Sequence, residues 1–406
     1  MSSNVTVLDI GHTKVAAVAA SREADGKIKL RGIGVSEHSA LQKGRIVDPA
    51  GLASAVESAL RRLQHATKSE HPAVIVGVGG SQVEASPAQG FIPIIPRSRS
   101  ITREDVLQVI NHSRQLMVPP GKEQIQVVPR EFRIDSQGGI EDPVGLSGSR
   151  LEVLTLLVFA DASHVEQLEK AVQAGGRKVA QMILRPLATA LGVLTQAEIA
   201  QGAVAIDIGA SHTELAVMKG GTVLGVGNVP VGIGHVASDL MQLLKVSREE
   251  AERLKLDHAS AVASMVPESD TVQVHQIGQP QPRPMQRKVL CEIVESRTRE
   301  IANLAKREIE RIADLGSLTG GLVLTGGGAR MPAMDRMFEI VFPHNKVRVA
   351  EPNLQGLVET RPGLAAAVGM ARYALQVGED EIAPAAGAES WKDRISRLIS
   401  GLSGKA

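Results

Sequence analysis

The apolar positions of this chain come in short runs, most of which stop at a glycine or proline where the period changes. Val5, Val7 and Leu8 form one run, closed by Asp9-Ile10-Gly11 and followed by an alternating stretch to Val18. Ala203 to Ile206 form another, closed by Asp207-Ile208-Gly209 and followed by an alternating stretch to Val217. Each pattern predicts a buried strand, a small polar hairpin turn and a second strand. A third run, Leu322 to Thr325, leads into Gly326-Gly327-Gly328, which the pattern predicts to open a helix.

Helical spacing fills the intervals. Pro49 to His65 puts Leu52, Val56, Leu60 and Leu63 on one face, and Thr102 with Asp105 makes an approximate capping box for the helix that follows. Further helices are predicted over Ala162 to Ala174, Ala188 to Leu194, two segments after the glycine turn at Gly232, a long one over Lys288 to Leu315, and a small-residue one over Arg361 to Leu375. Pro267 to Pro284 is polar and proline-rich and predicts an exposed loop. Strands and helices alternate throughout, which predicts an α/β protein. From Gln82 to Ala160 the texture shifts to strand, helix, strand, strand, the pattern of a small inserted α+β subdomain.

The last thirty residues differ again. Val377 to Glu389 turns to Gly, Ala, Pro and acid, a tether. Beyond it Trp391, Ile395, Leu398, Ile399 and Leu402 share one helical face, with Lys392, Arg394 and Arg397 against Asp393 on the other. Such a helix either docks on its own protein or lies in a lipid interface, and the tether, the terminal position and the Trp-plus-basic composition favour lipid. Five anchors give about 10 kcal/mol gross if fully buried. Insertion is partial and a short helix must be ordered at the same time. One copy therefore binds marginally, and a row of copies binds firmly.

Composition narrows the chemistry. The chain has 406 residues with a net charge of +1, so nothing attracts a nucleic acid. Aromatic residues make up 2%, too few for a base-stacking surface. Cys291 is the single cysteine, which excludes an intramolecular disulfide framework and a cysteine metal cluster and fits a reducing cytoplasm. No signal peptide opens the sequence and no apolar run is long enough to span a bilayer.

The glycines and acids at the strand ends carry the candidate chemistry. Gly11 and Gly209 allow tight turns that present N–H groups to phosphate oxygens. Asp9 and Asp207, at the strand ends, are the candidate catalytic and metal-ligating carboxylates for Mg²⁺ or its water shell. Gly326, Gly327 and Gly328 clear side chains from beside a flat ligand. No G-x-x-x-x-G-K-S/T run is present, nor a G-x-G-x-x-G after a strand with an acidic partner at the right distance.

This triplet resembles the actin, Hsp70 and sugar-kinase superfamily, in which the hairpins are phosphate motifs and the glycine triplet is the adenosine motif. The resemblance implies duplicated actin-like (ribonuclease H-like) domains with an inserted small α+β subdomain, and ATP with Mg²⁺ as ligand. More narrowly, the chain resembles the FtsA family of bacterial cell-division proteins over essentially its whole length. GVGGSQVEASPAQGFIPI, ITREDVLQVI and VVPREFRIDSQGGIEDPVGLSGSRLEV resemble the family's subdomain 1C. That implies subdomain 1A at 1–84 and 161–200, 1C at 85–160, 2A at 201–234 and 312–376, 2B at 235–311, a linker at 377–388 and a membrane-targeting helix at 389–403.

The family resemblance further implies a peripheral membrane protein at the division site that polymerises with itself. It would bind lipid through its C-terminal helix, dock the C-terminal peptide of the tubulin-like FtsZ on 2B, and recruit later division proteins. Asp9, Gly11, Thr13 and Lys14 match the first phosphate motif, and Asp207, Gly209 and Thr213 the second. Gly232 and Gly234 lie in the following turn, and Gly326, Gly327, Gly328 and Met331 match the adenosine motif. Glu252 and Lys255 sit one helical turn apart, where the superfamily often holds ribose and base; from the residues alone they are a solvated i,i+3 pair.

Two departures stand out. His212 lies in the second hairpin turn, either as a turn residue or beside the phosphates. Arg185 occupies a position where relatives often carry a glutamate near the attacking water. A cation cannot orient water as a base, so tight nucleotide binding with slow or absent hydrolysis is expected. Arg297 interrupts the apolar face Leu290, Val294, Ile301, Leu304, Ile312, either as a core-edge arginine or as a receptor for a partner carboxylate. A catalytic sugar kinase or Hsp70-like chaperone would need a substrate base or a peptide-binding domain. A pilus-assembly relative of the PilM type shares the fold and much of the insert, but gives no reason for the terminal helix.

Overall fold

The computed structural model describes residues 4–23, 27–42, 44–114, 118–352 and 362–377. Two five-stranded sheets organise it, and they share one plan. In the first, Asn4–Ile10 is central; it pairs antiparallel with Lys14–Arg22, which pairs antiparallel with Ile28–Glu37. On its other side Ala73–Val78 and then Lys178–Leu184 add in parallel. In the second, Ala203–Ile208 is central, with Thr213–Lys219 and Thr222–Val229 antiparallel on one side and Gly321–Thr325 and Val347–Val349 parallel on the other. The central strands are apolar on both faces because both faces are covered by helices.

The helix Pro49–Thr67 covers the outer face of the first sheet, with Leu52, Val56, Leu60 and Leu63 buried as the spacing predicts. Gly34 permits this contact: a β-carbon there would fall 2.0 Å from the Ala59 carbonyl oxygen. Arg287–Ile312 and Met334–Val341 cover the outer face of the second sheet. Between the sheets lie Arg185–Val193 and the small-residue helix Ala365–Val377. Their backbones nearly touch, since a β-carbon on Gly369 would lie 1.6 Å from the Ala188 carbonyl oxygen and one on Gly192 2.3 Å from that of Ala365. This pair is the seam of the molecule, and Arg185 begins it.

The insert forms its own four-stranded antiparallel sheet, ordered Val83–Pro93, Arg150–Asp161, Lys122–Ile134, Gln137–Ile140, with the helix Arg103–Ser113 on one face. The Thr102–Asp105 capping box is present, and Arg99 adds a two-pronged ion pair to Asp105. A second small unit packs Gly234–Leu244, Arg248–His258 and the first turns of Arg287–Ile312 around Leu240, Leu254, Leu290, Cys291 and Val294.

The structure differs from the sequence pattern in three places. Pro267 to Pro284 is not all loop: Thr271–Val274 pairs with Arg283–Gln286, because Val272 and Val274 turn into that small core. The glycine triplet opens a 3-10 turn at Gly328–Arg330, and the α-helix begins only at Met334. Arg185 and Pro186 start their helix three residues earlier than the apolar spacing implies, as proline at the second position allows. Trp391, Ile395, Leu398, Ile399 and Leu402, with most of the tether, lie outside the described residues. Among the described residues no helix is long and apolar enough to cross a membrane.

Candidate nucleotide site

The two hairpins superpose residue for residue in their hydrogen bonding. Gly11 N–H donates to the Lys14 carbonyl and Gly209 N–H to the His212 carbonyl, both at 2.9 Å. Asp9 faces Ala16 across the first hairpin and Asp207 faces Glu214 across the second. Counting from the aspartates, Ser211 is therefore the counterpart of Thr13, His212 of Lys14, and Thr213 of Val15. Thr213 is fully buried and donates its hydroxyl to the Val231 carbonyl at 2.9 Å. It ties the hairpin to the next turn, and the hydroxyl placed like that of Thr13 belongs to Ser211.

Glycines brace this hairpin from two sides. Ile233 N–H donates to Gly209 and Gly234 N–H to Ala210, while a β-carbon on Gly232 would lie 2.4 Å from the Gly209 carbonyl oxygen. Gly326, at φ +84°, lies against Asp207, and Gly328 against Ile208. Gly327 is exposed with open space where its side chain would stand. Met331 packs against the cores on either side of the loop, and Ala261 N–H donates to the Pro332 carbonyl at 2.8 Å.

Three carboxylates, the buried Asp9 and Glu214 and the half-buried Asp207, gather around one half-buried guanidinium. Arg185 places Nη2 2.5 Å and Nε 2.7 Å from Glu214 Oε2, and Nη1 3.9 Å from Asp9 Oδ1. The other Glu214 oxygen accepts the Gly80 N–H from the first half. Burial pushes Asp207 up to about 7, Arg185 opposing and Glu214 and Asp9 adding to the rise. Burial also raises Asp9, against the pull of Arg185 and Lys14. The acids around it hold Arg185 charged despite its burial.

Histidines surround the turns. His38 bonds the Gly11 carbonyl at 3.0 Å, His212 the Ser211 hydroxyl at 2.7 Å, and His235 Gly232 at 3.1 Å. His212 is 9% exposed and closes against Gly44, where a β-carbon would come 2.5 Å from its ring. Burial keeps His12 and His212 below the ordinary histidine value, with neighbouring histidines adding at His12 and Arg185 adding at His212 against the pull of Glu214.

Three predicted residues hold ion pairs of their own. Glu252 and Lys255 pair with each other at 2.5 Å on the helix Arg248–His258. Arg297 fills its fork with Asp239 at 2.7 Å on both prongs, and its remaining nitrogen reaches Glu300. It braces two helices and is not a free receptor for a carboxylate. Glu214, Gly80 and His38 escaped the sequence pattern. A carboxylate inside the apolar stretch Thr213–Val217 was the available signal for Glu214.

The donors fit a polyphosphate: two glycine turns and Lys14. Asp9 Oδ1, buried without a hydrogen-bond partner, is an acceptor and calls for a donor such as water beside that ligand. The arrangement does not fit a magnesium ion clasped by both aspartates. Arg185 already stands among the acids, and among the described residues no three acidic, histidine or cysteine side chains are placed to hold a metal ion together.

Residues 204–369 match the family model for cell division protein FtsA, and residues 80–159 match the SHS2 domain inserted in FtsA. Over 97% of its length the chain is 30% identical to cell division protein FtsA of Escherichia coli strain K12, of which it covers 97%. The chain belongs to the FtsA family. It is 28% identical to the FtsA of Pseudomonas aeruginosa, again over 97% of each chain, and 31% identical to that of Streptococcus pneumoniae over 92% of this chain and 80% of that one. Among solved structures, the PilM–PilN type IV pilus biogenesis complex aligns with a TM-score of 0.62 at 15% identity, covering 91% of this chain and 98% of that one. MreB5 of Spiroplasma citri bound to ADP aligns at 0.58 and 13% identity, covering 93% and 98%. These two share the actin-like fold expected from the duplicated hairpins, and the PilM likeness is one of fold alone.

Proposed function

We propose that this FtsA-family protein binds ATP between its two hairpins, assembles in rows on the inner face of the cell membrane, and there tethers FtsZ and recruits later division proteins. The observation that carries the nucleotide reading is the pair of hairpins in one register, with the charges of Asp9 and Asp207 both acting on Arg185. Gly11, Gly209 and Lys14 would face the phosphates, with Gly327 beside the base. Magnesium, where it accompanies the nucleotide, would arrive on the phosphates and add charge neutralisation there. Hydrolysis needs a carboxylate free to orient water. Glu214 has both oxygens engaged, one by Gly80 and one by Arg185, and burial favours the protonated forms of Asp9 and Asp207, which together support slow or absent turnover.

For FtsZ, a surface groove of about 380 Å³ on the small second unit is lined by Ser264, Lys288, Glu295 and Arg299. Mixed charges on a helix face suit a short peptide with an acidic end. For membrane attachment the apolar residues of the C-terminal segment would supply the anchors, Trp391, the chain's only tryptophan, among them.

The test uses the full chain and one lacking residues 389–406. Full-length protein should co-sediment with anionic vesicles and its tryptophan emission should shift to the blue, while the truncated chain stays in solution yet binds ATP equally. Equal sedimentation of both, or no ATP binding by either, would refute the reading.

A further inference from the structure

Arg185 sits where two halves of the molecule meet. It follows Leu184, the last residue of an edge strand of the first sheet, and opens the helix at the seam. Its guanidinium spends Nε and Nη2 on Glu214 of the second sheet. Nη1 points toward Asp9 of the first sheet but stops 3.9 Å short, beyond hydrogen-bond distance. Asp9 Oδ1 is buried and unpartnered on the far side of that gap. Nη1 thus keeps a hydrogen to give, and an anionic guest can accept it, whereas Asp9 Oδ1, itself an acceptor, offers such a guest nothing.

Charge decides what that guest needs. A polyphosphate entering beside Asp9, Asp207 and Glu214 meets like charge, and proteins ordinarily offset this with a divalent ion on the carboxylates. Here a divalent ion on Asp9 would be pressed against a permanent cation. Arg185 cannot lose its proton, and its remaining Nη1 can donate to a phosphate oxygen. Lys14 adds a second positive charge that acts on both aspartates.

Resting on the nucleotide reading, we infer that Arg185 takes the place of the divalent ion, so that this site holds a nucleoside polyphosphate with little dependence on magnesium.

The test is equilibrium binding of ATP to the full chain, once in excess Mg²⁺ and once in excess EDTA. Chelation should weaken binding by the native protein less than about three-fold. Arg185→Gln should bind in Mg²⁺ but lose about ten-fold or more in EDTA, and Arg185→Lys should restore tolerance. A ten-fold loss by the native protein on chelation overturns the inference, as does an Arg185→Gln variant weakened equally in both buffers. Absence of binding in both buffers overturns the nucleotide reading itself. Thermal melts establish that each variant is folded, and the native comparison decides alone if Arg185→Gln is not.

Discussion

Gly326 and Asp207 touch in a way that no other residue at 326 would allow. A β-carbon there would fall 2.1 Å from Asp207 Oδ1, and the backbone at φ +84° disfavours any L side chain. The glycine loop of the second half is thus seated on the carboxylate of its own phosphate hairpin. Gly326→Ala should lower stability by about 2 kcal/mol through combined strain and clash. It should also weaken ATP binding more than Gly327→Ala, whose side chain enters open space. Urea denaturation and equilibrium binding check the two halves of this expectation.

Asp207 links folding to pH. Its carboxyl is pushed up to about 7 by burial, so the native state keeps a proton that the unfolded chain releases near pH 4. The associated stability is fully present below pH 4 and is lost as pH rises toward 7. Asp207→Asn should remove that slope and raise stability at pH 7.5 by roughly 2–4 kcal/mol. Denaturation midpoints measured from pH 4 to 8 test it; a variant whose slope matches the native protein's contradicts it.

The seam helices should tolerate no enlargement. Gly369→Ala would drive a methyl group into the Ala188 carbonyl oxygen, 1.6 Å away, with backbone on both sides. A loss of about 3 kcal/mol is expected. Gly176→Ala, where nothing lies within 4 Å, serves as the comparison, its penalty being the left-handed backbone alone.

The Arg297–Asp239 brace gives a coupling prediction. Each partner's side chain is about a quarter exposed or less, and the two-pronged geometry holds the helices Gly234–Leu244 and Arg287–Ile312 together. Arg297→Gln and Asp239→Asn should each cost about 1–2 kcal/mol, and the double variant little more than either. Additive losses would mean the side chains act separately.

The sequence disclosed most where local chemistry forces the backbone. Asp-Ile-Gly at the end of an apolar run announces a strand end and a turn, and doing so twice announces the duplication. The small residues of the last described helix likewise announced a close neighbour, though not that it would be Arg185–Val193. Contacts across the seam were illegible, because Glu214 meets Arg185 and Gly80, 29 and 134 positions away, and periodicity carries no information on such pairs. Thr213 misled for a related reason. It follows its glycine by four positions where Thr13 follows by two, so register and not residue type decides which hydroxyl faces the turn. The Thr271–Val274 strand was hidden because two alternating valines are too short a signal among prolines.

The Gly80–Glu214 hydrogen bond lies three residues ahead of Val83, where the insert's first strand departs. That strand is eleven residues long, a lever of about 36 Å. A tilt of about three degrees at its root would sweep its tip by about 2 Å over such a length. Whatever fills or empties the space beside Glu214 therefore acts at the fulcrum of the insert, and the insert's outer edge is where the smallest rearrangement around the acids would be felt most.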